Sequence, residues 1–449
     1  MKSHDFGNTS ITKLVFSLAI PSMIAQLVNV LYSIVDRMFV GQIEGIGSLC
    51  LAAVGVCGPI VTLLSSFGTW VGIGGSIWMS IRLGQKQEKK ASIILWNSFL
   101  LLFGISIVLT LVFLFSKEYL IGWFGGSSTV FPYADTYLTI YTLGTFFALM
   151  AMGLNYFITC QGYATIAMFT VILGACTNIV LDYVFIKIFN FQIAGAAIAT
   201  VIAQVLSCVF AICFLRWKSK IRLQKECVDL EGMKEILRLG FSPFVILATD
   251  SIILIVMNAV LQKFGQSQGD LYISAITVAQ SYFLLITGPL IGITSGTQSI
   301  IAYHFGAKNK QKIKEAFKVI LLFTFSFCAC MWLISKFFAG NFVNLFTQEA
   351  QTRQLALTAI QIFCSGILFM SVQYVIVDGI TALSHVKLSL VLSMHRKMIY
   401  LGCTCLLPVF FGVMSTFYAQ PIADIWSSIV SSICFIKLIP KHLERNQVI

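Results

Sequence analysis

LAIPSMIAQLVNVLYSIVDRMFVG, residues 18–41, and LGFSPFVILATDSIILIVMNAVLQ, residues 239–262, are two copies of one plan. Each is apolar over the length a helix needs to cross a bilayer, about 20 residues. Each carries a proline near its start, and Pro21 and Pro243 lie 222 residues apart. The same offset relates Gly74 to Gly296. It also relates Gly84 in RLGQKQEKKA (82–91) to Gly306 in HFGAKNKQKIKEAF (304–317). One offset kept across more than 60 residues marks an internal duplication.

The rest of the chain has the composition this demands. Of 449 residues, 58% are apolar and 11% charged, where a soluble domain carries roughly a quarter charged residues. That excludes a disordered chain, a secreted disulfide scaffold and a nucleic-acid-binding domain. The apolar runs are continuous, without the period-two alternation of barrel strands. The fold class is therefore an all-α polytopic membrane protein. Twelve transmembrane helices are expected, near 14–40, 48–80, 93–115, 133–158, 166–189, 194–215, 240–261, 272–303, 319–338, 355–381, 388–412 and 415–437. They divide into two six-helix lobes, 1–215 and 240–449, joined by a polar, basic stretch at 216–239. An even number of spans per half makes the repeats parallel, related by a pseudo-two-fold axis along the membrane normal. Leu230, Met233, Ile236 and Leu237 recur at helical spacing in the join, which predicts an amphipathic helix on the inner leaflet.

The net charge of +12 is a topology signal. With the amino terminus inside, the inner loops, the join and the tail hold 24 Lys and Arg, and the outer loops hold five: Lys117, Lys187, Lys263, Lys336 and Arg353. Both termini are expected in the cytoplasm. The 13 cysteines lie mostly in apolar spans and read as reduced packing residues. No HExxH, His-Cys pattern or Walker loop occurs, so no metal, cofactor or nucleotide is expected.

Charges inside a membrane are costly and point to function. Asp36 lies in the first span. Asp182 lies in the fifth, one helical turn from Asn178. Two carboxylates with an amide nearby can share a proton or hold a small cation. A structural pair between Asp36 and the adjacent Arg37 is the competing reading. Asp250 in the seventh span and Asp378 in the tenth are candidates for a second site, with Asn258 standing where the repeat places the mate of Asp36. Asp424 reads as structural. Tyr32 and Phe39 share the Asp36 helix and can offer ring faces to a flat cation. Pro21 can kink that helix and so couple it to a charge event.

LYSIVDRMFVG (31–41), LAAVG (51–55), RLGQKQEKKA, NIVLDYVFI (178–186) with GAAIATVIAQ (195–204), and AQPIADIWS (419–427) together resemble the multidrug and toxic-compound extrusion (MATE) family, in its bacterial multidrug branch, over nearly the whole chain. The resemblance implies a monomeric exporter of organic cations in exchange for H⁺ or Na⁺, working by alternating access in the bacterial cytoplasmic membrane. It implies an ion site at Asp36, Asn178, Asp182 and Thr200. A second acidic site in the other lobe carries over less well, because Asp250 is displaced by one residue. The usual Arg-Gln of the eleventh helix reads Arg396-Lys397 here. A lipid-linked precursor flippase of the same architecture is the alternative, and it would require basic residues in the cavity. A membrane-embedded enzyme has no recognisable catalytic set.

Overall fold

A computed structural model describes residues 6–124, 128–346 and 350–445, which are helical almost throughout and contain no strand. The first half consists of α1 (Ile11–Gly41), α2 (Gly47–Gly84), α3 (Glu88–Trp123), α4 (Phe131–Leu143), α5 (Thr145–Cys160), α6 (Ala164–Asp182) and α7 (Gln192–Trp217). The second consists of α8 (Leu230–Gly265), α9 (Gly269–Gly306), α10 (Lys310–Phe346), α11 (Ala350–Ser365), α12 (Ile367–Ala382), α13 (Val386–Phe411) and α14 (Ala419–Arg445). Nine helices among the described residues are long and apolar enough to span a bilayer, and the bent pairs α4–α5 and α11–α12 bring the number to eleven. The twelfth span is α8, 36 residues long, which opens with charged turns and carries Asp250 midway.

The offset of 222 runs through the architecture to the residue. It relates the starts of α2 and α9, of α3 and α10, of α5 and α12, and of α6 and α13. Lys86 and Lys308, mates under the same offset, both leave their helices in the left-handed region, at φ 60° and 54°. Gly144 and Gly366 are mates as well, and each is the break at which a single expected span becomes two helices. The bends are 56° between α4 and α5 and 49° between α11 and α12. At each break the backbone presses on a neighbour. A Cβ on Gly144 would come within 2.6 Å of the Val201 side chain, and one on Gly366 within 2.7 Å of Pro421 Cα.

Three apolar clusters fill the interior. One draws its buried residues only from 40–236, one only from 257–417, and the third mixes residues 6–81 and Ala164 with 239–392. The third is the seam between the halves, at the end where α1 begins and α2 ends. There the helices meet backbone to backbone. A Cβ on Gly84 would strike the Tyr303 carbonyl, and one on Gly306 the Ile81 carbonyl. Gly74 lies on Ile236 and Gly240 of α8, and its mate Gly296 lies on Leu18 and Ser22 of α1. Small residues permit such close approach, and the reciprocal contacts trace the pseudo-two-fold axis.

Two expectations change. The join is not a separate surface helix. Residues 221–229 are non-helical, and α8 runs unbroken from Leu230 into the membrane. Of its apolar stripe Leu230 is exposed, whereas Ile236 is fully buried in the first cluster beside α2. Trp70 of α2 clamps this region, donating its indole N–H to the Leu237 carbonyl at 2.7 Å and stacking on Phe244 at 4.5 Å. The buried end of the stripe is an inter-helix contact, which periodicity alone does not distinguish from a lipid-facing one. Arg396 and Lys397, counted with the inner loop, lie ten residues or more inside α13 and point into the second half.

Candidate functional site

Asp36 sits in the last third of α1, Asp182 ends α6, and Thr200 is in the third turn of α7. The α1–α6 and α6–α7 contacts bring the three together. The carboxyls of Asp36 and Asp182 are close enough to interact. Asn178, one turn before Asp182, donates from Nδ2 to Thr200 Oγ1 at 3.3 Å, and Thr200 in turn donates to the Ala196 carbonyl at 3.0 Å. Asp182 is completely buried, with Asn178 at 2% and Asp36 at 8% exposure. Arg37 is exposed and takes part in no ion pair among the described residues.

The oxygens of this cluster are left without donors. Asp36 Oδ1, Asn178 Oδ1 and both carboxylate oxygens of Asp182 are buried with no hydrogen-bond partner. Buried acceptors without partners each cost on the order of 1–3 kcal/mol, more when charged. Four of them converging on one place suit a positive ligand, either a proton or a small cation with oxygen coordination. Immediately after Asp182 the helix widens into a π turn, Tyr183–Ile188. Such turns recur at functional positions. Nothing in the sequence signalled this one.

A cavity of about 350 Å³ opens beside the cluster. Asn178, Thr200 and Tyr32 belong to its wall, as do Gln26, Asn29, Asn155 and Gln204. Gln204 donates to the Tyr141 hydroxyl at 3.3 Å, and Tyr137 stacks on Tyr141 at 6.3 Å. The oxygens Gln204 Oε1 and Asn155 Oδ1 are also buried without partners. The second half contributes Gly292, Ser295 and Gly296 of α9. No Lys, Arg or His lines this wall. Sequence reasoning missed Tyr141, Asn155 and Gln204. Their signal was an excess of amides and hydroxyls in apolar helices, which is also how helices pack in membranes. Phe39 does not reach the cavity and instead packs on the apolar cluster of the first half. Pro21 lies within α1, which continues through it as one helix.

The second-half candidates do not form a matching site. Asp250 is ion-paired with Lys397 at 2.7 Å, and its side chain is 56% exposed. Lys397 Nζ also donates to Thr249 Oγ1 at 2.7 Å and to the Ile246 carbonyl. Asp378 lies among Thr294 and Gln298 of α9, and its carbonyl accepts from Gln298 at 3.3 Å. Asn258 Oδ1 is buried and unpartnered. Asp424, fully buried, is held by Arg396 at 2.7 Å and by Gln420 at 2.8 Å. No cluster of three metal-ligating side chains occurs among the described residues, and all cysteines described are free.

Comparison with known proteins bears on the family and the fold. The MatE family model matches twice, at residues 21–184 and 246–404. The first match includes Asp36, Asn178 and Asp182, and Thr200 lies beyond it. The chain is similar to the multidrug export protein MepA of Staphylococcus haemolyticus (strain JCSC1435), 24% identical over 450 residues, covering 99% of this chain and 96% of that one. It is similar to MepA of Staphylococcus saprophyticus subsp. saprophyticus at 25% identity, with 93% and 92% covered. Among solved structures, MATE in complex with MaL6 superposes with a TM-score of 0.93 at 21% identity, covering 99% of this chain and 100% of the other. The outward-facing conformation of a multidrug resistance MATE family transporter superposes with 0.91 at 22% identity, with 99% and 100% covered.

Proposed function

The chain belongs to the MatE family, and from that premise we propose that it is a secondary active multidrug exporter. It expels amphipathic organic cations in exchange for H⁺ or Na⁺ by alternating access. The seam end, rich in Lys and Arg, faces the cytoplasm of a bacterial cell, and both termini lie there. The observation that carries the reading is the convergence of partnerless buried oxygens from Asp36, Asn178 and Asp182 beside a cavity walled by neutral polar groups and tyrosines.

The mechanism follows from charge. Two carboxylates side by side in low dielectric repel and lack counter-charges. An ion entering from outside neutralises one of them and satisfies the orphaned acceptors, so it binds the conformation that assembles the cluster better than one that separates α1 from α6. Only that difference in affinity can shift the equilibrium between states. Tyrosine faces and amide oxygens in the cavity suit a flat organic cation. Ion binding favours the conformation that assembles the cluster, and release of substrate to the outside from the neighbouring cavity in that conformation makes the exchange antiport. No enzymatic step is required. The flippase alternative lacks support from the cavity wall, which holds no basic side chain for an anionic headgroup.

The test uses purified protein in liposomes loaded with a fluorescent cationic dye, under an imposed proton gradient and then a sodium gradient. Dye movement driven by one gradient and abolished by Asp182→Asn is the expected result, and it names the ion. Dye movement that survives in Asp182→Asn removes the ion site from this cluster. Absence of movement under either gradient, with lipid flipping by the same vesicles, establishes the flippase instead.

A further inference from the structure

A second and larger chamber lies outside the transport site, on the cytoplasmic side of the seam. Its volume is about 770 Å³. Its floor is the crossing of α2 and α9, where Gly84 and Tyr303 both line it. One wall comes from the first half, through Lys86, Gln161 and Lys220, and the other from the second, through His304, Asn309 and Lys312. A strap formed by Phe6, Gly7 and Asn8 closes one side. The Gly7 carbonyl accepts from Lys312 Nζ at 2.7 Å, and the Phe6 ring rests on Tyr303 at 5.3 Å.

Among the described residues three lysines line this space against one carboxylate, Glu88, which is paired with Lys220 at 2.9 Å. Among the described residues Lys312 is in no ion pair and is held by a carbonyl, which is neutral. The remaining observation is His304. It is 2% exposed, and its Nε2 has no hydrogen-bond partner. A neutral imidazole holds one donor and one acceptor nitrogen, so a turn of this unpartnered ring offers an N–H to an acceptor oxygen in the chamber. Basic pockets between helices on the cytoplasmic side suit the phosphates of anionic headgroups, and ammonium, imidazole and amide donors together suit phosphate oxygens.

We propose that this chamber binds a phosphate-bearing anion, presented by an anionic lipid headgroup or as free phosphate from the cytoplasm, and that the bound anion holds the two halves closed on that side. Both walls are needed to form it. An anion there binds the closed state better than any state in which the seam parts, and so shifts the population toward closure. The binding step is independent of the exporter reading, and its effect on transport rests on that reading.

The full chain in nanodiscs of phosphatidylcholine provides the test. Inorganic phosphate is titrated by calorimetry, and phosphatidylglycerol is added to detergent-solubilised protein and counted by native mass spectrometry. Hydrogen exchange at residues 81–86 and 303–308 reports closure. Wild-type protein is expected to bind one of the two probes, more weakly as salt rises, with slowed exchange at both segments. Binding of phosphate identifies a soluble source, and binding of phosphatidylglycerol alone identifies a lipid. Lys86→Gln with Lys220→Gln, both exposed, is expected to weaken binding by about tenfold. Lys312→Gln, which also frees the strap, is the second variant. Failure of wild type to bind either probe overturns the proposal, as does equal affinity in wild type and both variants. Binding without slowed exchange overturns the closure. The dye assay above proceeds without either probe, so its failure is separate from these.

Discussion

At matching depths the two halves carry opposite inventories. In the first, Gly174 and Ala175 of α6 leave room for the cavity. Their mates at the offset of 222 are Arg396 and Lys397 of α13, which fill the equivalent space with two cations and their partners Asp424 and Asp250. The mates of Asp36, Asn178 and Asp182 are Asn258, Tyr400 and Thr404. Thr404 is satisfied by the Tyr400 carbonyl at 2.8 Å, and the Tyr400 hydroxyl by Met257 Sδ at 3.9 Å. Among the described residues Asp36 and Asp182 in one half pair with no cationic side chain and lie beside open space, whereas Asp424 and Asp250 in the other are paired with Arg396 and Lys397. Duplication has preserved helix ends, bends and glycine seams, which backbone geometry dictates, while the interior of each lobe has taken its own chemistry.

The comparison breaks most visibly by neutralising each half in turn. Asp36→Asn and Asp182→Asn, singly or together, are expected to lower gradient-driven dye efflux roughly a hundredfold, since the ion then no longer distinguishes the two states. Asn258→Ala with Thr404→Ala is expected to change it less than about threefold. Comparable losses from both pairs, measured in the same liposomes, would make the second half an equal partner in coupling.

Arg396→Met comes next. It leaves Asp424 buried with only Gln420, and breaking such a pair costs about 3–5 kcal/mol. Thermal unfolding in detergent should show the loss, and adding Asp424→Asn should restore most of it by removing the orphaned charge. An uncorrected double variant would mean that Arg396 acts through packing on Tyr374, which lies 5.6 Å beneath it. Lys397→Gln should cost less, about 1 kcal/mol, because Asp250 is more than half exposed. Its sharper readout is the dependence of transport on ion concentration. Steepening in this variant would show that Lys397 had been standing where an ion can bind.

The smallest effect concerns the two bends. Alanine in a helix normally stabilises over glycine by about 0.5–1 kcal/mol. Gly366→Ala should reverse that sign, because its Cβ meets backbone at Pro421. Gly144→Ala should cost less, since it meets the side chain of Val201. Equal unfolding temperatures for the two would show that α14 yields as readily as α7.

The twelve spans and their division were legible because apolar length and a repeat offset survive in sequence. The acids of the first half were legible because a carboxyl in an apolar helix stands out, and the structure places Asp36, Asn178, Asp182 and Thr200 together. The bends at Gly144 and Gly366 were not, since hydropathy records burial and is blind to the direction of an axis. Arg396 and Lys397 read as loop cations because α13 begins only ten residues earlier. Their burial is decided by partners on α8 and α14 that lie far off in sequence. The π turn after Asp182 has no compositional mark at all.

The seam between the halves has a consequence for how fast the molecule can switch. Its closest contacts are Gly84 on a carbonyl, Gly306 on a carbonyl, and Gly74 against Gly240. Parting them releases almost no side-chain rotamers. Glycine has none to lose when the surfaces meet again, whereas a long side chain forfeits as much as about 2 kcal/mol. The carbonyls uncovered there can be hydrated as they separate. At these glycine crossings the cost of parting and rejoining falls on backbone packing and hydration, and the side-chain entropy of the joint is carried by the apolar cluster around them.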